Sequence, residues 1–416
     1  MANNYLIVCA TSIGQAIAKN TTRYMHPLGL LTPDAAATAL TWWIVRDTLT
    51  ASNLWVRISA NTVTGNSVFT FKIGATSATQ TITVGSTLTG AFQDTTHTDS
   101  LVSGNGVSHK LAVPNLGTSI TVTIIAFQIQ ADSAQAGVVG SAGPTVEAAG
   151  FVDYYPMLGY APNPGVSIEA RTALKVEVAG TLSNMALFVY ENTRAATGSL
   201  KSRVNGSNGA QTVTITGSTT GLFEDTTNTD AVSIGQTIGA MLTAPTGAGN
   251  FYIGDIHTMK FASAGQIIGA CDPRASAEEQ AAGTTGYCGF GDYVFIYSTT
   301  PELNVKTKAL FDFTLKNLCV YILTCTLNVA GTIGLRLNGV TQALVVSANA
   351  TGILEDTTHT VDVVSTDLIN TILDASAAAS GVMDASFVTY ELDQPSEESI
   401  MPLSGNSLRA VSSGII

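Results

Sequence analysis

Three short segments carry the same run of oxygen-bearing side chains: Asp94-Thr95-Thr96-His97-Thr98, Asp225-Thr226-Thr227-Asn228-Thr229 and Asp356-Thr357-Thr358-His359-Thr360. Carboxylates and hydroxyls gathered in one loop are what a hard cation prefers. Asp94 with Asp99, Glu224 with Asp225 and Asp230, and Glu355 with Asp356 and Asp362 would supply the oxygens. Calcium loops, however, need several carboxylates at fixed alternate positions, which these segments lack. The same residues also spell an Asx-turn, in which the Asp side chain accepts hydrogen bonds from amides just ahead and fixes a tight corner. Phe92, Phe223 and Leu354, two residues earlier, would anchor that corner in a core. The turn is the preferred reading, with no metal, cofactor or catalytic residue assigned.

Other chemistry finds less support. Asn228 stands where His97 and His359 stand, so nothing unique to imidazole is common to the three segments. His26, His109 and His257 are scattered without metal-ligand spacing. There is no Gly-x-Ser-x-Gly elbow, no phosphate-binding glycine loop and no His-Glu-x-x-His. What recurs is turn and core residues, so the chain reads as non-enzymatic.

The signatures begin 131 residues apart each time, and the elements around them repeat too. Upstream lie Thr81 to Val84, Thr212 to Ile215 and Ala343 to Val346, with alternate residues apolar as in a strand with one buried face. Before these come Phe69 to Gly74, Leu200 to Gly206 and Ile333 to Gly339, with Lys72, Arg203 and Arg336 read as outward-facing. Asn205-Gly206 and Asn338-Gly339 are hairpin turn pairs. The spacing here is 131 and then 133, which places a two-residue deletion at the third hairpin tip, between Gly339 and Gln342. A third set, Asn53 to Ile58, Asn184 to Tyr190 and Asn317 to Ile322, is almost continuously apolar. Closing strands run over Ile120–Phe127, Tyr252–Phe261 and Val382–Tyr390.

Seven or eight short strands per copy, Gly-rich turns and no amphipathic helix predict three tandem jelly-roll-like β-sandwiches, an all-β fold. A Greek-key immunoglobulin-like sandwich is the alternative, because strand order is not written in one sequence. The expected plan is an N-terminal segment over 1–21, repeats over 22–131, 153–262 and 291–392, linkers over 132–152 and 263–290, and a tail over 393–416. The linkers are rich in Ala, Gly and Ser, and a short helix with Ser276 or Asp272 as cap fits the second. Met401-Pro402-Leu403-Ser404-Gly405 echoes Met25 to Gly29 and Tyr155 to Gly159, which open the first two copies; the third opens differently, at Tyr293 to Tyr297. Met401, Pro402, Leu403 and Gly405 are therefore a candidate docking segment.

Composition narrows the function classes. Of 416 residues, 45% are hydrophobic, enough for several cores, and 12% are charged, about half the usual share. The net charge is −12 and basic residues nowhere cluster, so neither nucleic acid nor a phosphate backbone is an expected partner. No run is apolar enough to span a bilayer, and the N-terminus does not read as a signal peptide, so assembly in a host cytoplasm without a membrane partner is expected. Five cysteines are too few for a disulfide scaffold. Cys319 and Cys325 lie too far apart along one strand to bridge, and Cys271 and Cys288 could pair or hold metal, but buried thiols are the simpler reading. Trp42 to Val45 and Phe188 to Tyr190 are either buried aromatics or interface faces.

The second copy, with Leu182-Ser183-Asn184, Arg203-Val204-Asn205-Gly206 and Gly221 to Thr229, resembles a module of tailed-phage and other viral structural proteins. The resemblance covers three segments and leaves the N-terminus, linkers and tail outside. It implies a jelly roll of the tumour-necrosis-factor or complement-globular type, usually arranged around threefold axes. It also implies a virion protein whose partners are other capsid or tail proteins or further copies of itself. A capsid decoration (cement) protein is the leading expectation, either a pseudo-threefold monomer or a homo-oligomer. The alternatives are a tail-fibre or receptor-binding protein and a bacterial extracellular filament subunit.

Overall fold

A computed structural model of the chain describes residues 3–27, 29–30, 33–34, 42–131, 138–157, 166–176, 179–263, 266–271, 279–290 and 301–393. The proposed helix cap Ser276, the opening segment at Tyr293 and the tail motif at Met401 lie outside the described residues.

The second domain shows the plan most simply. Its strands are β1 (Val138–Val146), β2 (Val152–Tyr155), β3 (Gly180–Asn192), β4 (Gly198–Val204), β5 (Ser207–Ile215), β6 (Gly221–Val232), β7 (Thr237–Thr243) and β8 (Phe251–Ser263). One sheet has the order β1-β8-β3-β6 and the other β2-β7-β4-β5. Successive strands thus alternate between two facing antiparallel sheets except at the β4–β5 hairpin, which stays in one sheet; this is the jelly-roll order and excludes the immunoglobulin-like alternative. The first and third domains repeat this order, and the same labels serve them. In the first domain β6 is split into Gly90–Gln93 and Thr98–Leu101.

Alternation drives the packing. Along β5 of the second domain Gln211, Val213 and Ile215 are buried while Thr212 and Thr214 lie on the other face. Three such cores form, one per sandwich. Trp43 and Val45 fill the first core and Val189 the second, whereas Tyr190 is exposed. Cys288 and Cys319 serve as small apolar fill.

Three expectations need correction. First, the stretches read as an N-terminal segment and linkers contain strands. β1 of the first domain (Asn3–Ala18) pairs with Ser119–Ala131, Val138–Val146 pairs with β8 of the second domain, and Gln266–Cys271 pairs with Val382–Asp393 of the third. The 263–290 stretch also holds Thr285–Cys288, which pairs with Leu368–Asp374. The Ala, Gly and Ser of Val138–Val146 carry no hydrophobic period, and the run from Tyr5 to Ala10 is continuously apolar, so neither strand shows an alternating pattern.

Second, the opening of the third copy is not at Tyr293. By register Cys288 is the counterpart of Tyr155: Tyr155 pairs with Ala240 and Cys288 with Thr371, at matching positions of β7.

Third, the two-residue deletion is not at the hairpin tip. The tips are equally tight, closing at Val204 with Ser207 and at Leu337 with Val340. The loss falls in the next turn, between Ala348 and Gly352 where the second copy has Ile215 to Gly221. A slip of two preserves which residues face the core, so alternation alone cannot place it. The tips themselves use Asn205 (φ 49°) and Gly206 (φ 76°), then Asn338 (φ 52°) and Gly339 (φ 86°), as a primed turn requires.

Asn53, Asn184 and Asn317 are also left-handed, with φ between 50° and 54°. Each sits in β3, and the pairing with β6 shifts register on passing Asn184 and Asn317. Asn tolerates this conformation better than most residues. The repeated Asn at the head of the apolar run is therefore a bulge.

Candidate functional site

The signature corners are built alike. Asp225 Oδ1 accepts from the Thr227 amide (3.1 Å), Thr227 Oγ1 (3.2 Å) and the Asn228 amide (3.0 Å). Its Oδ2 accepts from the Thr212 amide on β5 (2.8 Å) and from Asn228 Nδ2 (2.9 Å). Asp94 uses the amides of Thr96, His97 and Thr81, and Asp356 those of Thr358, His359 and Val345. His97 and His359 each place Nδ1 2.9 Å from Oδ2, where Asn228 puts its amide. One carboxylate thus closes a turn and ties β6 to β5.

Burial alone would raise the pKa of each of these carboxyls, but the hydrogen-bond donors outweigh it. Asp94 and Asp356 are lowered to about 2, and Asp225 is held well below the usual carboxylate range. Thr95, Thr226 and Thr357 are exposed.

The other acids weighed as cation ligands diverge from the corner. Asp99 and Asp230 are buried and accept from residues 79–80 and 210–211 of β5. Asp362 accepts from Thr314 Oγ1 (2.7 Å), and Glu224 and Glu355 face neighbouring domains. A cavity of about 380 Å³ flanks the third corner. Among the described residues no three His, Cys, Asp or Glu side chains converge to hold a metal.

The residue just before each signature Asp proves the more informative position. Gln93, Glu224 and Glu355 each receive a cation from a different domain. Arg46 of the first domain pairs with Glu224 and donates through Nε to the Asn184 carbonyl (3.1 Å). Lys175 of the second domain pairs with Glu355 of the third. Lys308 of the third donates to Gln93 Oε1 of the first (2.9 Å). The donors also sit alike: Leu174–Lys175 and Thr307–Lys308 are short strands beside β7, and Arg46 follows the equivalent Trp43–Ile44. The contacts run from domain one to two, two to three and three back to one. They close a ring.

Apolar burial accompanies the polar contacts. Trp55, Ile124 and Ala126, from β3 and β8 of the first domain, join the core cluster of the third. Cys319 and Phe387, from the same strands of the third domain, join that of the second. Ser386 Oγ donates across this junction to the Arg171 carbonyl (2.6 Å). Each domain therefore offers its β3–β8 face to the preceding one, a head-to-tail interface that closes after three.

Lys72, Arg203 and Arg336 are less free than their outward reading implies. Arg203 binds Glu169 through Nε (2.7 Å) and Nη2 (2.8 Å), and Arg336 binds Glu302 in the same way. Lys72 is buried, with Nζ on the Ala75 carbonyl (2.5 Å). Both glutamates lie on single 3₁₀ turns, Glu169–Arg171 and Glu302–Asn304, that lacked any periodic signal.

Two buried titratable groups were not singled out by sequence. His109 lies between Phe71 and Phe127, and burial first, then the nearby His26, lowers it to about 3. Asp153 is raised to about 7 by burial and by its hydrogen bond and charge contact with Glu147. Glu147 also accepts from the Tyr155 hydroxyl, and Arg194 holds its backbone carbonyl.

No protein-family profile matches the chain. No curated protein matches it either. Among solved structures, a chain from work on the triple jelly roll fold and turret assembly in an archaeal virus aligns over 95% of this chain and 92% of its own, at 10% identity and a TM-score of 0.19. A chain from the atomic structure of Sulfolobus turreted icosahedral virus aligns over 93% and 92%, at 10% identity and a TM-score of 0.19. At that score the backbones do not superpose as wholes, and the jelly-roll assignment rests on this chain's own strand order.

Proposed function

We propose that the protein is a non-enzymatic virion structural subunit, a capsid decoration protein that acts as a covalently linked trimer. The observation that carries this reading is the ring of cation contacts, from Arg46 to Glu224, Lys175 to Glu355 and Lys308 to Gln93. Three jelly rolls that satisfy one another's interfaces in a single chain present a pseudo-threefold surface, which fits a threefold position in a shell. The non-identical copies let each third contact a different neighbour. Partners on this reading are capsid proteins rather than nucleic acid or membrane.

The purified chain is expected to be a compact 43.0 kDa monomer by light scattering. In small-angle X-ray scattering it should show a three-lobed disc, and it should bind capsid shells that lack it. An elongated homotrimer in solution would overturn the reading in favour of a fibre, and spontaneous filaments would do so in favour of a filament subunit.

A further inference from the structure

An open cleft with a volume of about 400 Å³ lies at the junction between the second and third domains. One wall is the partly exposed ring of Tyr321, backed by the buried Phe387 on which it stacks with centroids 5.7 Å apart and planes 23° from parallel. The opposite side carries Glu169, Asn205 and Thr237 of the second domain, and Ile353 completes the apolar side. Arg203 orients the Glu169 carboxylate, and each oxygen, taking one bond from Arg203, retains lone-pair capacity for a further donor. The Lys175–Glu355 pair and the Ser386–Arg171 bond hold the two domains together around it.

The aromatic pair is particular to this junction. Tyr321 pairs in register with Phe387, but the matching pair in the first domain is Arg57 with Ile124 and in the second Phe188 with Asp255. Closing a ring does not require two stacked aromatics, since the third-to-first junction closes without them.

We propose that this cavity binds a neutral saccharide ring. An apolar wall with a few convergent polar groups, set between domains, is the usual form of a small-ligand site, and the volume falls in the usual range. A pyranose has one face of C–H groups, suited to an aromatic wall, and a rim of hydroxyls. Those hydroxyls donate to Glu169 as charge-assisted hydrogen bonds and exchange bonds with Asn205 and Thr237. The carboxylate disfavours anionic ligands. The site stands whether or not the protein decorates a capsid.

The test is saturation-transfer NMR on the full chain with the methyl glycosides of glucose, galactose, mannose and N-acetylglucosamine. At least one should receive saturation. Its affinity should fall about tenfold or more in Tyr321→Ala and in Glu169→Gln, and should be unchanged in Tyr190→Ala, an exposed tyrosine outside the cavity. Ala173→Leu, which fills the cavity from the second domain, gives an independent block should Tyr321→Ala fail to fold. Absence of transfer from all four glycosides, or transfer that survives Ala173→Leu, would overturn the proposal.

Discussion

Each signature aspartate is a small hub. Five donors converge on Asp225, three of them backbone amides that would otherwise be left without a partner in a partly buried corner. Asp225→Ala is therefore expected to cost about 2–4 kcal/mol, seen as a lower urea midpoint for the second domain. The pH dependence has two limbs. Asp94 and Asp356 have folded values of about 2, below the unfolded value of 3.8. Their contribution is fully present above about pH 4 and is lost as pH falls toward 2.

Asp153 works in the opposite direction, because its folded value of about 7 lies above 3.8. The folded state holds a proton that the unfolded state has released, so stability falls as pH rises from about 4 to 7. The melting temperature should peak at mildly acidic pH. Asp153→Asn should flatten the decline on the alkaline side, and a decline unchanged in that variant would count against the assignment. The signature was legible as a turn because Asp followed by Thr-Thr and a hydrogen-bonding residue recurs three times. Asp153 was not, since an isolated Asp in a strand gives no sign of a buried Glu partner.

Among the strands, the third copy has carried out a natural double substitution. In the first two copies the Gln80 and Gln211 side chains accept from the β3 amides of Leu54 and Met185, beside the bulge, and donate to Asp99 and Asp230. By strand register, the third copy has Leu344 and Val361 at these places, both buried in its core. Replacing both members of a buried polar pair by apolar groups is nearly neutral, whereas removing one leaves the other without its partner. Asp99→Val alone should thus destabilise the first domain by about 2–3 kcal/mol, and adding Gln80→Leu should recover part of that loss in thermal melts. This exchange was hidden from the sequence by the misplaced deletion. With β5 aligned two residues out, Gln211 seemed to match Gln342, and the faces still agreed.

For the whole molecule, stability and closure come from different contacts. Burial of Trp55, Ile124 and Phe387 across the junctions supplies most of the favourable energy, since exposed or half-exposed ion pairs contribute little. The charges instead select which face meets which. Arg46, whose side chain is 3% exposed, is the most buried of the three cations. Arg46→Glu would set it against Glu224 and should open the first-to-second junction, raising the radius of gyration and exposing the connecting segment to protease. Arg46→Glu with Glu224→Arg should restore compactness. A radius unchanged in the single variant would show that the ring does not depend on this pair.

By itself the sequence determined the all-β class, the threefold repetition, the hairpin tips and the aspartate corners. All of these rest on neighbours within a few residues or on a period of two, and such local rules are written along the chain. Tertiary structure alone decided the jelly-roll strand order, the place of the Ala- and Gly-rich strands at the sheet margins, the true site of the deletion and the closing of the ring. The ring depends on residues that meet only after the chain has folded back, as Lys308 and Gln93 do, the strand order depends on pairings that skip the intervening strands, and the deletion depends on the pairing register of a hairpin that a period of two leaves undefined. The Asp-Thr-Thr corner spans both levels: its turn could be read from the residues, but that the residue before it receives the neighbouring domain's cation could not.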